Sequence, residues 1–313
     1  MIDFRARRPV PEEAMHANPT AHAPAGRLSL YAAALLAALA FAGAALAQPA
    51  PGARPWWWDE AWWEEGRLPA VQTHAVTTRW VTYRGAHAEV SALVARPAGD
   101  ARYPAVLYMH GRRGLDELIQ RQVKRLAAQG FVVLAPDVYG AHFIAPMPVE
   151  HDYRLEADAE KGIDALLALP DVSTRKACLA SHTRGGYFTL KMAVTAGRQA
   201  RDVACYVSWY PHWQDPNAPE ALQVYGHAKE AESLAVPTLV FVGAEEQYQR
   251  KRVIESAVKA LESRGRPVRL VVYPGVGRGF DFRDPSVRTF ADDLASRDAV
   301  VRAAAFMRRN LVP

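Results

Sequence analysis

The stretch Ala177-Cys178-Leu179-Ala180-Ser181-His182-Thr183-Arg184-Gly185-Gly186 decides how this chain folds. An apolar run short enough for a buried strand enters a turn rich in small and polar residues. The two glycines then open a stretch with helical spacing. Strand, small-x-nucleophile-x-Gly-Gly turn and helix are the layout of a nucleophile elbow, in which a sharp turn lifts one side chain above the edge of a sheet. A serine or cysteine is expected at the apex, and threonine stands there.

Working outward, strand and helix patterns alternate. The ranges 74–83 and 87–96 alternate apolar and polar residues like two antiparallel strands. Short apolar runs at 103–109, 131–136, 176–181, 203–210, 236–243 and 267–273 read as buried strands. Between them, 115–129, 152–169, 185–196, 247–264 and 286–310 repeat apolar residues at helical spacing. Strands of this length separated by helices predict a mostly parallel sheet covered on both faces. With no internal repeat, residues 70–313 read as one α/β domain. Ligands of such domains meet the carboxyl ends of the strands. The loops 110–115, 181–186, 243–248 and 274–281 are expected to converge there.

The order of motifs is specific. It runs from His110-Gly111 with Gly114-Leu115, through Ala135-Pro136-Asp137-Val138-Tyr139-Gly140 and the elbow, to Pro237-Thr238-Leu239 with Gly243, and ends in Tyr273-Pro274-Gly275-Val276-Gly277-Arg278-Gly279-Phe280. Over about 75–310 this series resembles the dienelactone hydrolase family. The resemblance implies an α/β-hydrolase fold with a mostly parallel eight-stranded sheet and helices on both faces. It also implies a Cys or Ser nucleophile, an Asp and a His that open lactones and esters, with no cofactor and no metal. Carried over by position, the nucleophile slot falls on Thr183, the acid slot on Glu246 (Glu245 being the alternative) and the histidine slot on Arg278. Guanidinium stays protonated in proteins and cannot take a proton from a hydroxyl. A Glu246–Arg278 ion pair is therefore expected in place of a relay. The resemblance puts the oxyanion-hole donors at the amides of Arg112 and Arg184, and backbone donors survive a change of side chain.

Other histidines could serve as bases. His212 follows a strand at the right edge of the sheet. The His182 side chain is expected to point away from Thr183, His142 and His151 lie beyond the strand ending at Pro136, and His110 reads as a structural residue of the oxyanion loop. Arg112, Arg113, Arg184 and Arg278 map to the converging loops, where they would attract an anion. With His212, Arg113 and Arg278 are expected to contact the ligand, a small anionic lactone, ester or carboxylate.

The amino-terminal part differs in character. Residues 28–47 are uncharged and apolar, Arg27 precedes them, and Ala45-Leu46-Ala47 before Gln48 fits a small-x-small cleavage site. Residues 1–47 thus read as a leader with a secretory signal, Met15 being a possible start, and the mature chain as periplasmic or secreted. A retained membrane anchor through 28–47 is the alternative. Within 48–69, five tryptophans (Trp56, Trp57, Trp58, Trp62 and Trp63) fall in eight positions. They read as a short helix clamped onto the domain, or as a contact for a partner or membrane. Cys178 and Cys205 lie in interior strands, where free buried thiols are the expected state and a disulfide the alternative. The net charge of +5 is spread among acidic residues, which argues against nucleic acid as a partner. Three functions remain open: a non-hydrolytic or impaired binding protein built on this fold, an active ester or lactone hydrolase with an unusual nucleophile or base, and a structural or interaction protein acting through the tryptophan-rich segment 56–63.

Overall fold

The computed structural model describes residues 73–312. The expected leader and secretory signal and the tryptophan cluster fall outside the described residues. The strands are β1 (Val76–Arg84), β2 (Glu89–Pro97), β3 (Tyr103–Met109), β4 (Val132–Pro136), β5 (Val172–His182), β6 (Val203–Trp209), β7 (Thr238–Gly243) and β8 (Val268–Tyr273). They form one eight-stranded sheet in the order β1-β2-β4-β3-β5-β6-β7-β8. β1 and β2 are antiparallel to their neighbours, and all later pairings are parallel. The interior strands β4 and β7 are buried along their whole length, as unbroken apolar runs require when both faces are covered.

The main helices are α1 (Glu117–Ala127), the single turn α2 (Val138–Ala141), α3 (Arg154–Leu167), α4 (Gly185–Leu190), the short α5 (Glu220–Tyr225) and α6 (Lys229–Ser233), α7 (Tyr248–Ser263) and α8 (Phe290–Leu311). α1 and α8 pack together on one face; α3 and α4 lie with α6 and α7 on the other.

Three expectations are corrected. The helix expected over 185–196 is α-helical only to Leu190 and continues as a π-helix over Lys191–Thr195. The Thr189 hydroxyl at that junction donates back to the Gly185 and Gly186 carbonyls, a competition that loosens the helical ladder. The last helix starts at Phe290 because Thr289 and Asp292 form a reciprocal capping box there. Cys178 and Cys205 are joined as a disulfide, not free thiols. The parallel register sets Cys178 opposite Cys205, with Cα atoms 4.6 Å apart, close enough for the bond to form without moving the backbone.

Candidate active site

The elbow forms where β5 ends. Thr183 takes a positive φ of 49°, a left-handed conformation that costs a β-branched residue about 1–3 kcal/mol. Packing beneath it holds the turn. Ser181 hydrogen-bonds to Ser208 at 2.8 Å and to Thr189 at 3.1 Å, and the Tyr206 hydroxyl donates to the Gly186 carbonyl at 2.8 Å. Gly185 sits so close to β3 that a Cβ there would lie 2.8 Å from the His110 carbonyl oxygen. Across the turn, a Cβ on Gly111 would overlap Thr183 Oγ1. The threonine hydroxyl is thus turned against the backbone of the oxyanion loop.

The loops converge on one cavity of about 670 Å³, lined by Arg112, Arg113, Thr183, Arg184, His212 and Arg278 among others. Glu246 lies beneath Arg278, its side chain fully buried. The Arg278 guanidinium stands 3.4 Å from both carboxylate oxygens. It also donates to the Tyr210 carbonyl at 3.1 Å and covers the Tyr210 ring. Burial raises the Glu246 carboxyl above its ordinary value, and Arg278 opposes that rise. Glu245 is exposed. The Arg112 and Arg184 amides have no hydrogen-bond acceptor among the described residues, so both are available to an incoming oxygen. Arg112 is fixed by the Met147 and Pro148 carbonyls, and Arg184 by those of Pro148, Val149 and Glu150. Arg113 pairs with Asp116 at 2.6 Å.

His212 is 6% exposed, lines the cavity and leaves its Nε2 without a partner. Its amide donates to the Thr183 carbonyl at 2.7 Å, which ties it to the elbow. Burial, then Arg250, Arg278, Arg184 and Arg112, hold the imidazole pKa well below its ordinary 6.5. Between that folded value and 6.5 the unfolded chain binds a proton that the folded chain does not, so the contribution to stability falls as pH drops. The loss at His212 approaches about 1.4 kcal/mol per pH unit below 6.5. Urea unfolding from about pH 5 to 7 is expected to lose most of this slope in His212→Gln. An unchanged slope in that variant would place its origin elsewhere.

Two features of the site escaped the sequence reading. Arg250, on the first turn of α7, is a fifth arginine at the cavity and donates to Gln214 Oε1 at 2.8 Å. No local pattern in its charged helical segment marks it as facing the cavity. The second is a buried polar network behind Thr183. His182 Nε2 donates to Asp281 Oδ2 at 2.6 Å, the Tyr210 hydroxyl donates to Asp281 Oδ1, and His182 Nδ1 meets the Tyr108 hydroxyl. Trp209, opposite His182 in the β5–β6 register, stacks on the imidazole at 4.8 Å. Both ring nitrogens of His182 are therefore occupied. His142 and His151 bond to Asp158 and Glu156 outside the cavity, and His110 Nδ1 to the Gly111 carbonyl.

An eight-stranded sheet of this order, with an elbow after β5 and a cavity at the carboxyl ends of its parallel strands, defines an α/β-hydrolase fold. The chain belongs to the dienelactone hydrolase family, whose profile matches residues 90–311. A carboxymethylenebutenolidase-like protein of Synechocystis sp. is 23% identical over 252 residues, 74% of this chain and 94% of that protein. A dienelactone hydrolase-like crystal structure from Klebsiella pneumoniae superposes with a TM-score of 0.60 at 20% identity, covering 75% of this chain and all of the other. A Pyrobaculum calidifontis esterase does so with a TM-score of 0.58 at 22% identity, covering 74% of this chain and 85% of the esterase.

Proposed function

We propose that this chain is a dienelactone-hydrolase-fold protein that binds a small anionic carbonyl compound and hydrolyses esters and lactones poorly or not at all. The observation that carries this reading is Arg278, whose guanidinium fills the histidine slot between Glu246 and Tyr210. A threonine hydroxyl needs a base to become a nucleophile, and guanidinium cannot serve. The free amides of Arg112 and Arg184 support a retained carbonyl-binding function. Enzymes stripped of their triad still accelerate hydrolysis by roughly 10³–10⁴-fold through oxyanion hole and binding alone, so a low residual rate is compatible with the reading.

The second reading, an active hydrolase, rests on His212. It is held neutral, lines the cavity and carries a free Nε2, as a general base or a water-orienting group requires. Assay of the purified chain on short aryl esters and small lactones separates the two. The expected result is a low rate that changes less than about tenfold in Thr183→Ala and His212→Ala, far below the usual 10²–10⁴-fold contribution of a general base. Substantial turnover abolished by either substitution would overturn the binding-protein reading.

A further inference from the structure

Five arginines line the cavity, and their charges are unequally matched. Arg113 has Asp116 at 2.6 Å and Arg278 has Glu246 at 3.4 Å. The guanidiniums of Arg112, Arg184 and Arg250 are held by main-chain carbonyls and the Gln214 amide, and none of the three makes an ion pair among the described residues. Arg184 and Arg250 are not a solvated rim, and Arg112 is half-buried beside them. Arg184 is 4% exposed and its Nε has no partner. Burial, then Arg278, pulls the Arg250 pKa down to about 10. All three charges bear on His212, whose Nε2 is also unpartnered. Glu246 bears on Arg250 as well as on Arg278, so the five arginines share two carboxylates, Asp116 and Glu246, and three positive charges remain in excess. Crowded, partly desolvated cations in excess of their counter-charges cost free energy that an anion would recover. One added carboxylate would leave an excess of two, and two negative charges an excess of one.

We propose that the cavity is a receptor for a small organic dianion, a molecule carrying two units of anionic oxygen charge as a dicarboxylate or as a phosphate monoester. Arg112, Arg184 and Arg250 hold the charges and His212 Nε2 supplies a further hydrogen bond. The proposal rests on the reading of the pocket as an anion site but does not depend on whether the chain hydrolyses esters. Arginine suits this ligand because its planar fork meets carboxylate and phosphate oxygens in pairs. Leu118, Ile119 and Phe282 on the cavity wall supply an apolar surface for the carbon frame.

The test is calorimetric titration of the purified full chain at constant ionic strength with matched probes. Maleate is compared with monomethyl maleate, and phenyl phosphate with benzenesulfonate. Each dianion is expected to bind at least about tenfold more tightly than its monoanionic partner, a difference of about 1.4 kcal/mol. Arg250→Gln is expected to reduce that preference to less than about threefold. Arg112→Gln provides an independent check should the first variant unfold. Arg264→Gln, at an exposed arginine paired with Glu232 away from the cavity, is expected to leave the preference intact. The tighter of maleate and phenyl phosphate identifies the anionic group. Equal affinity within each pair, a preference untouched by both cavity variants, or no binding of any probe at about 10 mM would overturn the proposal. Monoanions binding as well as dianions would do so while sparing the broader reading, whereas ester turnover that depends on Thr183 would remove the broader reading and leave the dianion site standing.

Discussion

Asp281→Ala is expected to lower the free energy of unfolding by about 3–5 kcal/mol, because two buried hydrogen bonds to its carboxylate, worth about 1.5–3 kcal/mol each, are lost together. Asp281 accepts from His182 Nε2 and from the Tyr210 hydroxyl, and its own carbonyl accepts from Gln122 Nε2 on α1 at 3.0 Å. One residue therefore fastens the loop after β8 to the ends of β5 and β6 and, through His182, to Tyr108 on β3. Burial opposes ionisation of Asp281, but His182 and the two side-chain hydrogen bonds outweigh it and hold the carboxyl below its ordinary 3.8. A folded value below the unfolded one means that the stabilisation is in place above 3.8 and disappears as pH falls through the folded value. The alanine variant strands an imidazole and a phenol in the interior, each losing its acceptor. Asp281→Asn keeps one acceptor and is expected to lose about 1–3 kcal/mol. Guanidinium unfolding followed by tryptophan fluorescence reads these changes, since Trp209 stacks on His182. A loss below about 1 kcal/mol in Asp281→Ala would show that the network is incidental to folding. Pairing Asp281→Leu with His182→Leu is expected to be milder than the sum of the single changes, because no charge is then left without a partner.

The same network marks the limit of what the sequence reveals. The fold is legible because it rests on local periodicity. The buried runs, the elbow glycines and the Tyr273–Phe280 loop each announce their element without knowledge of any partner. The candidate site is legible where it coincides with those motifs, which is why Thr183, Arg184, His212 and Arg278 line the same cavity. What escapes depends on register between distant strands. His182 and Asp281 are 99 residues apart, and only the β3–β5–β6 alignment brings Tyr108 and Trp209 to the imidazole. The disulfide has the same origin. Two cysteines in apolar runs look like free core thiols until a one-residue register places them opposite each other. Arg250 escapes for a different reason, since a helical arginine in a charged segment carries no local sign of the cavity it faces.

Thr183→Ser combined with Arg278→His is expected to raise aryl-ester hydrolysis by about 10²–10⁴-fold, the usual contribution of a positioned general base. Serine removes the branched methyl from a position with φ of 49°, where β-branching is strained, and its hydroxyl is freer to turn from Gly111 toward the cavity. Histidine at 278 takes the place of a guanidinium that already lies over Glu246, so a buried carboxylate is ready to orient the imidazole. Neither single change suffices. Serine beside Arg278 has no base in that slot, and histidine beside Thr183 faces a hydroxyl packed against the oxyanion loop. The two effects are therefore expected to exceed the product of the single variants, as they do for residues that act as a unit. The rate is expected to rise with pH through about 6–7 as the new imidazole loses its proton. If the double variant folds as stably as the parent and hydrolyses no faster, the cavity has been reshaped beyond the exchange of two side chains. The arginines around the cavity, rather than Thr183 and Arg278 alone, would then account for weak hydrolysis.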